Sequence, residues 1–248
     1  ILTVWLWIAL AVALNESQLN DSLEQFIWAQ SLQWGYWKHP PLSTWLMYVA
    51  IQGIAHSPLW PYVLSALLYA LTLVSTHQIA RLLFDRRVAA WTVFFLTLHY
   101  GFTRRAQVYN HNSVLIAFIA LTVWLTLLAL RKNRPVWWLA TGAMAGLSLL
   151  VKYQAVVPLI GILIAIALAG SFKKSLPGIL MAVGVCLLVL TPHIQWVLAH
   201  DFLTLRYALR YTDATQPGLG EWGPASFIVN QLRYYLPALM FLLLMWGA

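Results

Sequence analysis

The sequence predicts an all-α polytopic membrane protein, and three observations carry that expectation. Hydrophobic residues make up 61% of the 248 residues, charged residues only 9%, and mean hydropathy is +0.73. That composition excludes an ordinary soluble domain. Apolar segments recur along the whole chain: Ile1–Leu14, Pro58–Leu82, Val88–Phe102, Ser113–Leu130, Val136–Leu150, Ala155–Gly170, Leu176–Leu190 and Ala225–Ala248. Charge alternates between the connections that join them. The expected organisation is one transmembrane domain over 1–248 with about eight spans.

Several segments fall short of the roughly 20 residues that cross a bilayer, so they should extend into flanking aromatics. Every second connection is short and basic: Arg81, Arg86 and Arg87, then Arg131, Lys132 and Arg134, then Lys173 and Lys174. The positive-inside rule puts these three in the cytoplasm. The other connections hold Lys38, Arg104, Arg105, Lys152, Arg206, Arg210 and Arg233, and every acid except Asp85. Once the bases are placed in loops, the net charge of +8 gives no reason to expect a nucleic-acid partner. The single cysteine, Cys186, lies in an apolar run, which excludes an intrachain disulfide and a cysteine metal site. The chain opens on Ile1 with no basic leader and stops inside an apolar segment, so it is expected to be a fragment of a longer protein.

The first outer loop, 15–57, is where polar chemistry concentrates. Asp21 and Glu24 are three apart and would share a helix face. Leu23, Phe26 and Ile27 follow with helical spacing, giving a short amphipathic helix for the membrane interface. Asp-x-x-Glu is equally a capping box, with Asp21 at the N-cap and Glu24 at the third helical position. Both readings can hold together. Gly35-Tyr36-Trp37-Lys38-His39-Pro40-Pro41 then breaks the helix, and a new one is expected over Leu42–Ala55. A carboxylate pair thus faces a Lys-His pair across a rigid turn.

The remaining outer connections add cations. The second carries Arg104 and Arg105, the third is a tight turn with Lys152 and Tyr153, and the last covers 192–224. On a helix from Ile194 to Tyr211, Arg206 and Arg210 would point the same way. Outward-facing bases oppose the usual orientation bias, and an anionic ligand such as a phosphate would account for them. Contact with anionic lipid headgroups would account for them as well. Carboxylates beside such cations suit group transfer from a lipid phosphate: a carboxylate takes the acceptor's proton while Lys and Arg neutralise the departing phosphate. His39, His111, His193 and His200, with Asp21 and Glu24, leave room for a divalent cation, although no HxH or HExxH spacing occurs. His77 and His99 read as hydrogen-bonded packing residues.

These stretches carry a family resemblance. Asp21-x-x-Glu24 followed by Gly35-Tyr36-x-Lys38-His39-Pro40-Pro41-Leu42 resembles the first outer loop of the family 39 membrane glycosyltransferases. Protein O-mannosyltransferases and the bacterial aminoarabinose transferases of lipid A belong there. Leu149-Leu150-Val151-Lys152-Tyr153 is similar to that group's LLSKY turn, and Ala80–Arg87 to its cytoplasmic turn. The resemblance implies a GT-C-type helix bundle with interfacial helices in the first outer loop and a periplasmic or lumenal active site. It also implies a polyprenyl-phosphate sugar donor, and a first-loop acid as base, which maps onto Asp21. Two positions depart from the family: Ser22 and Leu23 separate acids that are often adjacent, and Asn112 stands where many members have Asp.

The sequence therefore supports an inverting glycosyltransferase of the bacterial cytoplasmic membrane, its active site facing the periplasm. Asp21 and Glu24 are the candidate catalytic residues. Lys38, His39, Lys152, Tyr153, Arg206, Arg210, Arg104 and Arg105 are the candidates for substrate and phosphate. The acceptor would be a glycan, lipid or protein, with membrane lipids around the spans. The rival reading is a non-enzymatic polyprenyl-phosphate binder or translocator, but a translocator should carry ionisable groups near the midplane of its spans.

Single cysteines at Lys38, Lys152 and Arg210 should react with an impermeant thiol reagent from one side of sealed vesicles, and at Arg87, Arg131 and Lys173 from the other. Labelling of positions 152 and 131 from the same side would end this architecture.

Overall fold

Backbone polar groups in a bilayer must be satisfied within the segment, so a chain this apolar folds as helices. The computed structural model describes residues 9, 20–105, 108–211 and 224–246, and among them every regular element is helical. The protein is an all-α polytopic membrane protein. Apart from Ala9, the first apolar segment lies outside the described residues.

The first loop folds into α1 (Asn20–Trp28) and α2 (Leu42–Tyr48), the latter continuing as a π-helical turn over Val49–Ile54. Then come α3 (Trp60–Leu83), α4 (Arg86–Leu98), the short α5 (Tyr100–Arg105) and α6 (His111–Lys132). α7 (Pro135–Val151) leads through a 3₁₀ turn at Tyr153–Ala155 into α8 (Val156–Leu168). α9 (Phe172–Ala199), α10 (Leu203–Tyr211) and α11 (Pro224–Trp246) complete the described chain. Four stretches among the described residues are long and apolar enough to cross a membrane: α3, α6, α9 and Ile228–Met245 of α11. α4, α7 and α8, of 13, 17 and 13 residues, are shorter than the roughly 20 residues that cross a bilayer.

Local chemistry explains where the chain departs from its apolar runs. The segment expected as one span over Val88–Phe102 breaks at His99, whose backbone is extended and whose Nδ1 accepts the Phe102 N–H at 3.0 Å. α9 runs through Pro192 to Ala199, beyond the apolar run that marks it in the sequence. It does not continue to Tyr211. Asp201 and Phe202 both take left-handed backbone, φ 50° and 58°, and this turn separates α9 from α10. Elsewhere the ends are capped as the sequence allows. Asp85 accepts the Val88 N–H at 2.8 Å, and Asn110 forms a reciprocal capping box with Ser113.

The bundle is built on α3, α6, α7 and α9, packed side by side in that order. Small residues set the closest approach, as expected where helix association depends on van der Waals fit. α7 carries Gly142 and Gly146, and a Cβ at Gly142 would lie 2.2 Å from the Ala182 carbonyl oxygen of α9. In return Gly178 of α9 receives the Trp138 ring of α7. The main buried cluster gathers near the loop end, from Ala29, Met47, Leu68, Tyr109, Val114 and Val151 among others. That core is the floor of the site described next.

Gly142→Ala should therefore push α7 off α9 and cost about 1–3 kcal/mol, the range for overpacking a tight contact. Thermal unfolding in detergent reads it, and Gly161→Ala, whose added Cβ meets nothing within 4 Å, is the control.

Candidate functional site

The first loop is polar side in and apolar side out. On α1, Ser22 and Gln25 are buried while Leu23 and Ile27 are 46% and 59% exposed. The Ser22 hydroxyl donates to the Tyr109 carbonyl at 3.0 Å, and the Gln25 amide oxygen accepts from Thr44 at 2.8 Å. An amphipathic helix at a membrane edge can turn its apolar face to lipid in this way. The expected capping box is not formed. Asn20 and Asp21 already belong to the helix, and the two carboxylates reach other elements instead. Asp21 Oδ2 accepts from the Asn110 amide at 2.9 Å, and Glu24 pairs with Lys38 at 2.5 Å.

The Gly-Tyr-x-Lys-His-Pro-Pro motif is shaped by its neighbours. The backbone at Gly35 lies on the Trp196 ring of α9, where any Cβ would come within 2.3 Å of the indole. Only glycine fits that approach. Tyr36 stacks on Trp28, ring centroids 5.5 Å apart, and its hydroxyl donates to the Ser31 carbonyl at 2.7 Å. The Tyr36 N–H donates to the His39 carbonyl at 3.1 Å, which closes the loop on itself. Pro40 and Pro41 are fully buried beneath it. Lys38 and His39 are thereby held at the rim.

Together these contacts form a cavity of about 370 Å³ lined by Asp21, Glu24, Lys38 and His39 from the first loop, Asn112 from α6, and Lys152 and Tyr153 from the turn after α7. Pro40, Gln154, Tyr207 and Ala208 complete the lining. Residues expected from separate outer connections do come together at one end of the bundle. Lys152 Nζ donates to Asn112 Oδ1 at 3.0 Å. Asn110, which the sequence reading passed over, both caps α6 and holds Asp21; the Asn-x-x-Ser spacing before an apolar run was its available signal. Tyr207 was also missed. Its ring packs on Trp37 at 5.2 Å and on His39 at 6.1 Å, and no spacing marks it.

Not every candidate joins. Arg206 and Arg210 are exposed on α10 and do not line the cavity; Tyr207 and Ala208 between them do. The side chains of Arg104 and Arg105, on α5, lie outside the described residues. His193 and His200 are not in the lining. Among the described residues no three His, Cys, Asp or Glu side chains gather as metal ligands.

Electrostatics divide the roles further. Burial alone would disfavour the Lys38 ammonium, but the hydrogen bond and charge of Glu24 more than offset this and raise its pKa. The ammonium also sits 4.7 Å from the Trp37 ring centre, a cation–π contact. His39 goes the other way. Burial first, and then the Lys152 and Lys38 charges, lower its pKa to about 4 against a smaller opposing pull from Asp21. At neutral pH it is an uncharged ring, with its centroid 3.9 Å from that of His111. His111 is itself buried, and its Nε2 has no hydrogen-bond partner. The cavity therefore offers two carboxylates, two ammonium groups and neutral imidazole.

A family model described as dolichyl-phosphate-mannose-protein mannosyltransferase matches residues 38–196, well over half of the chain. The lipid A galacturonosyltransferase RgtD of Rhizobium johnstonii is 24% identical over 227 residues, covering 90% of this chain and 48% of that protein. The chain thus spans about half the length of that curated relative. No solved structure matches it.

The His39 shift has a measurable sign. The unfolded chain binds a proton at this residue below pH 6.5, whereas the folded one does so only near pH 4. Stability contributed by neutral His39 is complete above pH 6.5 and drains away as pH falls toward 4. At pH 5 the loss should be on the order of 1–2 kcal/mol. Thermal unfolding of the native protein should fall faster between pH 7 and 5 than that of His39→Gln, which cannot titrate; parallel curves would contradict the shift.

Proposed function

The chain belongs to the dolichyl-phosphate-mannose-protein mannosyltransferase family, and on that basis we propose a membrane glycosyltransferase. It takes a sugar from a polyprenyl-phosphate donor and passes it to a glycan, lipid or protein acceptor. The reaction occurs at the periplasmic face of the bacterial cytoplasmic membrane. The observation that carries this reading is the joint lining of one cavity by Asp21, Glu24, Lys38 and Lys152. Its volume of about 370 Å³ lies within the range of roughly 300–1,000 Å³ for small-molecule sites.

The chemistry needs few parts. The acceptor oxygen or nitrogen attacks the sugar C1 while the bond from C1 to the phosphate oxygen breaks. Asp21 accepts the proton the acceptor loses, and the polyprenyl phosphate leaves with the bonding electron pair. Lys152 and Lys38 balance the charge that develops on the departing phosphate. One displacement from the opposite side inverts the anomeric centre. Phosphate is already a good leaving group, so no second acid is required, and Glu24 serves to hold Lys38. The match to a lipid A galacturonosyltransferase supports a lipid acceptor among the three.

Asp21→Asn tests the base and separates it from a lipid carrier. Asn keeps the size and can still accept from Asn110, but it cannot take the acceptor's proton. Sugar transfer from a polyprenyl-phosphate donor in liposomes should fall roughly 10²–10⁴-fold while donor binding persists. Glu24→Gln should be milder. Full transfer by Asp21→Asn would remove Asp21 from the mechanism, and donor binding without transfer by the native full-length protein would favour the carrier.

A further inference from the structure

At the cavity wall, the half-buried Tyr153 joins two buried polar groups from distant parts of the chain in one hydrogen-bonded chain. The Tyr153 hydroxyl lies 2.9 Å from His193 Nε2 and 2.7 Å from the Thr204 hydroxyl. His193 Nδ1 lies 2.6 Å from the Trp34 carbonyl oxygen. His193 is 3% exposed and Thr204 is fully buried. The direction of every bond follows. A carbonyl oxygen can only accept, so Nδ1 must carry the proton, and Nε2 of the neutral ring is then an acceptor. Tyr153 donates to it, which leaves the phenol oxygen to accept from Thr204. One histidine thereby ties the first loop to the turn after α7, and Thr204 adds α10.

That turn carries Lys152. Its backbone is extended, φ −162° and ψ 135°, so neighbouring side chains leave on opposite sides. Lys152 reaches Asn112 on α6, while Tyr153 reaches His193 on α9 and Thr204 on α10. The turn is gripped from both flanks. We propose that His193 and Thr204 are positioning residues: by fixing the Tyr153 hydroxyl they hold the Lys152–Tyr153 turn where it meets the donor's phosphate. This inference rests on the glycosyltransferase reading for the ligand, but the wiring itself does not.

The test uses the full-length protein in detergent, with polyprenyl phosphate as the probe. Tyr153→Phe removes the hydroxyl. His193→Asn keeps a donor near Nδ1 for Trp34 but loses the acceptor for Tyr153, whereas His193→Gln keeps that acceptor and loses the donor. Tyr153→Phe and His193→Asn should each weaken polyprenyl-phosphate binding and raise donor KM about 5–20-fold, with kcat changed less. The double variant should be no worse than either alone, because both break one bond. His193→Gln should stay within about threefold of the native protein. Thr204→Val should follow the first two variants, and Thr204→Ser the native protein. Histidine ¹⁵N spectra should show His193 protonated at Nδ1 in the native protein.

Unchanged affinity in Tyr153→Phe, additive losses in the double variant, or a proton on Nε2 would each overturn the proposal. A native protein that neither binds polyprenyl phosphate nor transfers sugar would instead overturn the functional reading. The tautomer and the non-additivity of the two substitutions in thermal unfolding would then still decide the wiring.

Discussion

The near wall of the cavity depends on how the first loop is fastened to the end of α9. Gly35 lies flat on the Trp196 indole, and the neighbouring Trp34 carbonyl accepts a hydrogen bond from the Nδ1–H of His193. Two adjacent residues are thus held by two side chains three apart on one helix. A further bond from the Trp45 indole N–H to the Gln33 carbonyl, 2.7 Å, ties the same stretch to α2. With residues 33–35 held, the turn that follows has little freedom. Lys38 and His39 reach the cavity because the backbone before them is pinned and the two prolines after them are buried.

Charge in the cavity is arranged so that opposite signs are close without cancelling everywhere. Glu24 is committed to Lys38, while Asp21 accepts from the amide of Asn110 and keeps hydrogen-bonding capacity to spare. Lys152 meets the amide oxygen of Asn112. Burial and the two lysines keep His39 uncharged, which prevents a third cation from crowding the same space. Preorganised groups of this kind cost little reorganisation when charge moves between donor and acceptor. In the proposed reaction Asp21 is the proton acceptor on one wall, and Lys38 and Lys152 are the ammonium groups beside it that meet the phosphate.

Much of this architecture was legible in the amino-acid sequence. Apolar segments of near-spanning length announce helices, because a bilayer offers no other partner for the backbone. The described helices fall on all the segments from Pro58 onward, and the connections assigned to one side do meet at one end of the bundle. Asp21, Glu24, Lys38 and Lys152 were readable as candidates because charge in so apolar a chain must have a reason, and His39 and Tyr153 because they adjoin two of those lysines in the resembling motifs. The family resemblance rested on the same residues, and the family match covers Lys38 to Trp196.

What the sequence could not decide is which side chains meet. Helical spacing put Arg206 and Arg210 on one face but could not say which face of α10 turns to the cavity; packing turned Tyr207 and Ala208 there. The Asp-x-x-Glu pattern was satisfied equally by a cap and by a site, since both use the same local spacing. Only the arrival of Asn110 and Lys38 from elsewhere settled the carboxylates' partners. The His193–Tyr153–Thr204 chain joins residues far apart in sequence, and its signal exists in no window of the chain. Periodicity and hydropathy are local properties, so the sequence alone determined the helices, their alternation and the identity of the charged residues. Contacts between elements depend on how whole helices rotate and slide to bury their surfaces, and only the tertiary structure decided those.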